Sequence, residues 1–312
     1  MARLILIKSI RALLTVMICV TFVFIILRVA GDPVRSLLPD DTPPAVLDEY
    51  RERLGLDRPL VEQYLNYVVA IAQGDFGVSF TERRPAIEVV RERIPATLQL
   101  GSAAMALALL LGLPLGTLAA FFRNTIIDRA VMAAAVFGHS VPHFFLGIVL
   151  ILLFAMEWRL LPSSGYTTWQ HMILPVFTLG TAAAGTIARF ARTSMVEVLG
   201  QPFVRTALGK GASRLHAITR HALPNAAIPI VTVIGFQLGG LVGGALVTET
   251  VFAWPGVGRL LVTAVGMRDL AVVQTIVLLV ATTMVGANYL VDIAYGLLDP
   301  RIRASNSAGT PQ

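Results

Sequence analysis

A chain of 312 residues that is 55% hydrophobic and only 14% charged, with a mean hydropathy of +0.73, departs far from the balance of a water-soluble domain and belongs in a bilayer. Its formal charge of +6 comes from basic residues beside apolar runs, a mark of membrane topology and not of nucleic-acid binding. The single cysteine, Cys19, excludes a disulfide framework and a thiolate metal cluster.

Crossing the hydrocarbon core takes about 20 predominantly apolar residues. Six runs free of Asp, Glu, Lys and Arg meet or approach that length: Ala12 to Leu27, Ala96 to Phe122, Ala130 to Met156, Met172 to Ala188, Ala222 to Thr248 and Leu270 to Val291. They predict an all-α membrane protein with six transmembrane helices. The first run lacks an Ala-x-Ala-like cleavage site after it and is read as a helix, not as a signal peptide. Orientation follows from Lys and Arg, which collect on cytoplasmic flanks. With the N-terminus inside, the inner segments carry Arg3, Lys8, Arg11, Arg123, Arg129 and the many cations between Arg189 and Arg220, while the two short outer loops are balanced in charge. Both termini are therefore expected in the cytoplasm.

Between the first and second spans lies the one long polar stretch, 31–95, which is acidic overall and opens with the turn signals Gly31-Asp32-Pro33 and Pro43-Pro44. Ala45 to Leu54 predicts a short helix stopped at Gly55. A second helix begins near Pro59, with Leu60, Tyr64 and Val68 forming an apolar stripe. Gly74-Asp75-Phe76-Gly77 is a turn before the amphipathic Pro85 to Arg93, and a segment of this size is expected to pack as an outer cap on the bundle. The tail 301–312 is small and polar and predicted disordered.

Within the spans, His139 and His143 are four residues apart on one predicted helix, so both rings project from one face, with Ser140 beside His139 and Pro142 between them able to loosen the helix. That spacing suits a metal, but no third ligand lies nearby in sequence; interior hydrogen-bonded histidines, or a pair facing a solute path, are the other readings. Gly239, Gly240, Gly243 and Gly244 form overlapping small-xxx-small patterns for close helix packing, within the chain or against a partner. Glu249 and Asp292 are intramembrane carboxylates near a membrane face. A proton-coupled carrier would place acids nearer the midplane, which weakens that reading.

Common catalytic constellations are missing: no His-Glu-x-x-His, no Gly-x-Ser-x-Gly and no Cys-x-x-Cys. Gly209-Lys210-Gly211 lacks the glycine spacing and preceding strand of a phosphate loop, so the chain is read as binding no ATP itself. Ser140 beside His139 makes a poor nucleophile and base for an intramembrane hydrolase, because adjacent helical residues point about 100° apart. The segment from Phe203 to Pro224 is strongly basic and broken by Gly211. It reads as a docking element for another protein or as an amphipathic segment on anionic lipid, and charge alone favours neither.

The order Ala207, Gly211, His221, Leu223 at its spacing resembles the cytoplasmic coupling motif of ATP-binding-cassette importer permeases, with Arg205-Thr206-Ala207 where that motif usually has Glu-Ala-Ala. Gly31-Asp32-Pro33, Leu54-Gly55-Leu56-Asp57, Gly74-Asp75-Phe76-Gly77, Ala96-Thr97-Leu98, Thr248-Glu249-Thr250-Val251-Phe252 with Trp254-Pro255-Gly256, and Leu298-Asp299-Pro300-Arg301 are similar, in that order, to the B-type permease subunit of dipeptide, oligopeptide and nickel importers. The resemblance implies a type I importer transmembrane domain over 96–300, with its coupling loop at about 193–224, after a first helix in 1–30 and the segment 31–95.

It further implies a bacterial inner-membrane subunit supplying half a pore. Its implied partners are a second homologous permease, two cytoplasmic ATPases and an extracytoplasmic solute-binding protein. ATP and Mg would sit on the ATPases and none on this chain. Phe203, Arg205, Thr206, Ala207, Lys210, Gly211, His221, Leu223 and Pro224 are the implied coupling residues; the loop with Trp254, Pro255 and Gly256 is a candidate contact for the binding protein or a membrane-interface anchor through Trp254. Di- or oligopeptides are the first expectation for the solute, and nickel, glutathione, opines or sugars the alternatives.

Overall fold

The computed structural model describes residues 2–29, 34, 42–53 and 55–298; within them the side chains of 2–5, 27–29, 53, 214, 228, 238–244 and 290–298 are not described. Helices account for nearly all of the regular structure, and the described residues contain no β-strand, only an isolated bridge between Val78 and Pro85. Four single helices are long and apolar enough to cross a membrane: α1 (Ala2–Val29), α4 (Ala86–Phe121), α7 (Gln170–Leu199) and α12 (Leu270–Leu298). Two further crossings are bent pairs. One joins α5 (Ile126–Ser140) to α6 (His143–Leu150) and its π-helical continuation Ile151–Glu157; the other lies in α10 (Leu223–Val251) and the turns before it.

The third predicted span is thus no single rod. α5 and α6 meet at 99°, because Val141 is extended (φ −74°, ψ 124°) and Pro142 supplies no N–H to carry the ladder across. Where the fourth charge-free run stops at Ala188, α7 continues to Leu199, so its last three turns carry the charges. α4 likewise absorbs the predicted amphipathic lead-in and runs through both Pro95 and Pro114. At 36 residues it is about 54 Å long, which exceeds the roughly 30 Å hydrocarbon thickness.

α7 is the hub. α4 and α5 pack on it so closely that glycine is required at the crossings: a Cβ on Gly116 would run into the Ala188 carbonyl, and one on Gly185 into the Ala135 carbonyl. At Gly112 the added carbon would lie 2.9 Å from the Ala184 carbonyl oxygen. The glycines singled out from sequence, Gly239, Gly240, Gly243 and Gly244, are helical in α10, but their surroundings lie outside the described residues, as do the tail and Gly31-Asp32-Pro33.

Outside the spans, α2 (Pro44–Arg53) ends before Gly55, whose φ of 65° breaks the helix. α3 (Leu60–Ala72) packs through Tyr67, Val68 and Ile71 against Val20 and Val23 of α1 and Leu278 of α12. Leu60, placed in the apolar stripe from sequence, is instead 64% exposed. The true stripe is rotated toward Tyr64 and Tyr67, whose rings meet Phe24, while the Tyr64 hydroxyl lies 2.7 Å from Thr21 Oγ1.

Candidate functional site

Two assemblies lie at opposite ends of the bundle. The first is the basic segment after α7. Pro202 opens α8 (Pro202–Gly209), where its missing N–H costs nothing, and Val204, 2% exposed, anchors the helix against the bundle. Gly211 then turns the chain back with φ 90°, a left-handed conformation that costs a side chain roughly 1–2 kcal/mol. The return runs through α9 (Arg214–His216) and the π-helical turn Ala217–Ala222. Ile218 and Ala222 are buried against Ala191 and Met195 of α7.

Between outgoing and returning arms lies an open concavity of about 730 Å³ lined by Phe203, Thr206, Ala207, Lys210, Gly211 and His221. Six of the nine nominated residues thus share one surface. His216, which sequence reasoning passed over, joins them with its ring centroid 5.9 Å from that of His221. Phe203 is 43% exposed, an apolar side chain presented among cations. Arg205, Leu223 and Pro224 are exposed outside this lining. Beside the segment, Arg192 donates through Nε and Nη2 to both carboxylate oxygens of Asp128 at 2.6 and 2.7 Å, and the Asn124 amide donates to Oδ2. This fork ties the start of α5 to the charged end of α7.

At the other end, α11 (Val257–Gly266) begins where the Trp-Pro-Gly motif stops. Glu249 is fully buried, and its carboxylate accepts from Thr97 Oγ1 at 2.6 Å and from the amides of Gly258 and Arg259 at 2.7 and 3.1 Å. Thr97 Oγ1 in turn accepts from the Val257 amide at 2.8 Å. The first three amides of α11, which have no partner within the helix, are therefore satisfied by two side chains, one from the preceding turn and one 160 residues away. Space for the carboxylate comes from Gly256, where a Cβ would collide with it, and Gly258 lets Leu246 approach.

Trp254, 1% exposed, donates from Nε1 to the Ala96 carbonyl and meets the Tyr166 ring edge-on. The sequence expectation that Trp254, Pro255 and Gly256 face a binding protein is corrected here. Trp254 and Gly256 are buried and Pro255 half-buried, because the turn spends these residues on holding α11. Asp269, also buried, accepts from Ser79 Oγ and the Thr81 amide, fixing segment 74–85 to the turn before α12. Nearby, bonds to Glu92 and Glu82 push the Arg84 pKa upward and keep that guanidinium charged.

The bend at Pro142 corrects a further reading. His139 ends α5 and His143 begins α6, so the two rings no longer share a helix face. His139 Nδ1 lies 3.2 Å from Thr186 Oγ1 on α7, and Ser140 is exposed beside it. The described residues contain no group of three or more His, Cys, Asp or Glu able to hold a metal ion.

Comparison with known proteins decides the family. The pattern described as "Binding-protein-dependent transport system inner membrane component" matches residues 112–304, and its N-terminal companion matches 1–101. The chain belongs to this permease family. The permease is 44% identical over 273 residues to the glutathione transport system permease protein GsiC of Escherichia coli K12, covering 88% of this chain and 89% of that protein. It is 43% identical over 290 residues to GsiC of Salmonella typhimurium, covering 93% and 95%. Its fold resembles that of the inward-facing MetNI methionine ABC transporter, with TM-score 0.57 at 20% identity over 68% of this chain and 97% of that one. An amino acid ABC transporter structure gives 0.54 at 17% over 67% and 94%. The permease is accordingly an inner-membrane subunit of a binding-protein-dependent importer with a type I transmembrane fold.

Proposed function

We propose that the permease forms half of the translocation pore of an ATP-driven importer for short peptides, with the tripeptide glutathione as its leading solute. The observation that carries this reading is the 44% identity to a glutathione permease across almost the whole of both chains. A second homologous permease completes the pore, two ATPase subunits bind ATP and Mg on the cytoplasmic side, and a binding protein delivers solute from outside. This chain is a transport subunit and supplies no ATPase chemistry.

The concave face of α8 and its return arm suits the coupling role. Coupling requires a short rigid element that cannot absorb the motion it transmits. Val204 below, the Gly211 turn and the buried Ile218 and Ala222 hold α8 on α7. Phe203 and Ala207 then present an apolar contact beside Lys210 and the histidines to an ATPase groove. Nucleotide-driven movement of that groove pulls α8, and with it α7 and both helices packed on the hub.

The test is ATP-dependent uptake by the reconstituted assembly, comparing glutathione with dialanine and nickel. Saturable glutathione uptake that needs the binding protein supports the reading. Uptake of nickel alone, or proton-driven uptake by this chain without ATPases, overturns it.

A further inference from the structure

One face of α7, touched among the described residues only at Thr186 by the end of α5, stays largely open, and its chemistry is wrong for lipid. Thr186, Arg189, Phe190, Thr193 and Glu197 recur at i, i+3, i+4, i+7 and i+11 and therefore form a single stripe. All five are exposed or half-buried, whereas Ala184, Ile187, Ala188 and Ala191 on the other side are buried against α4 and α10. The exposed surface of other spans reads differently: Leu13, Ile18 and Phe22 on α1 and Leu110 on α4 are apolar, as contact with acyl chains demands. A half-polar stripe about 16 Å long, running from the spanning part of α7 at Thr186 into its charged cytoplasmic turns, suits the inner mouth of an aqueous path.

Arg189 is the centre of that stripe. Its Nε is buried and has no hydrogen-bond partner among the described residues. Asp128 is no partner for it, since Arg192 already forks both of that carboxylate's oxygens. Glu197 lies eight residues on, about 12 Å along the axis, too far to pair directly. A buried guanidinium nitrogen left without a partner is costly, and the planar fork of donors matches a carboxylate. One turn away, Thr186 holds His139 at the end of the broken α5, so the bend brings a second polar group to the same face.

We propose that this stripe of α7 lines the solute path and that Arg189 receives a carboxylate of the passing solute. The proposal rests on the peptide-importer reading, because every free peptide carries at least one carboxylate. Thr186 and His139 extend the polar surface on one side. Glu197, toward the charged end of α7, presents like charge to the solute and favours release once Arg189 lets go.

The experiment uses the complete importer complex in proteoliposomes. In a Cys19→Ser background, Arg189→Cys and Thr193→Cys are exposed to a water-soluble sulfonate thiol reagent, with Leu110→Cys as the lipid-facing comparison. Labelling of the α7 positions at least tenfold faster than Leu110→Cys is the result expected; rates equal to that comparison overturn the path assignment. The second measurement is uptake of glutathione against its glycine-amide analogue. The unmutated complex should prefer the acid, Arg189→Gln should lose that preference and at least tenfold of the uptake rate, and Arg189→Lys, which keeps the charge without the fork, should keep a preference for the acid at a rate between the two.

An Arg189→Gln complex that keeps the acid-over-amide preference overturns the proposal, because the anion held by Arg189 then belongs to a lipid phosphate or to the second permease. If the unmutated complex imports neither glutathione nor dialanine, the peptide reading falls. The labelling rates still decide whether the stripe faces water.

Discussion

Glu249 shows how much one side chain settles at the outer end of the molecule. Intramembrane carboxylates usually invite a reading as proton or solute sites, but the three bonds it accepts are all spent on α11 and Thr97. Thr97→Val removes both a donor to that carboxylate and an acceptor for the Val257 amide, leaving buried groups unmet at about 1–3 kcal/mol. Its expected outcome is a lower melting temperature in detergent, with Thr97→Ser close to the unmutated protein. At the inner end the corresponding residue is Gly211. Gly211→Val places a β-branched side chain at φ 90° where nothing blocks it sterically, so the cost is backbone strain of roughly 1–3 kcal/mol and the damage is to the angle of α8. Complexes carrying Gly211→Val or Phe203→Asp should assemble and hydrolyse ATP yet import several-fold less solute per ATP; unchanged coupling ratios would remove α8 from the transmission path.

Among elements, the periodic apolar runs made the spans legible, and Gly55 and Pro59 marked the ends of α2 and α3. The bend at Pro142 was half legible: proline announced a weak point, but 99° depends on what α7 offers to each half, which no local spacing encodes. The residues nominated for coupling stand out through their order in sequence, and the chain folds six of the nine onto one concavity. The burial of the Trp254 turn is not legible locally because it is decided by Ala96, Thr97 and Tyr166, all at least 80 residues away. Close packing at Gly112, Gly116, Gly180 and Gly185 is not legible for a related reason: these glycines recur four or five apart on α4 and α7, and which facing carbonyl each meets depends on the other helix. Gly116→Val and Gly185→Leu test the hub directly. Each forces a side chain into a facing carbonyl, an overpacking cost of typically 1–3 kcal/mol and occasionally more, so both should reduce melting temperature and yield of assembled complex. Gly266→Ala, where a Cβ meets nothing, should not.

At the scale of the whole molecule, the two buried networks sort the loops by side. Segment 74–85, the 158–169 turn and α11 are held together by Asp269, Trp254 and Glu249. Thr21 bonds Tyr64 near the same end of α1, whereas Ser9 meets Tyr289 near the other end. The basic return arm after α8 sits at that second end with the Asp128–Arg192 fork. The cation bias assigns this second end to the cytoplasm, and the coupling role proposed for α8 demands the same assignment because ATP is available only there. Single cysteines in a Cys19→Ser background test it: Glu52→Cys in α2 and Ser213→Cys in the return arm, treated in intact cells with a membrane-impermeant maleimide. Labelling of Glu52→Cys with Ser213→Cys protected until the membrane is opened is the outcome the charge distribution requires. The reverse pattern would put the concavity beyond reach of any ATPase, and the coupling role of α8 would fall with it whatever the transported solute.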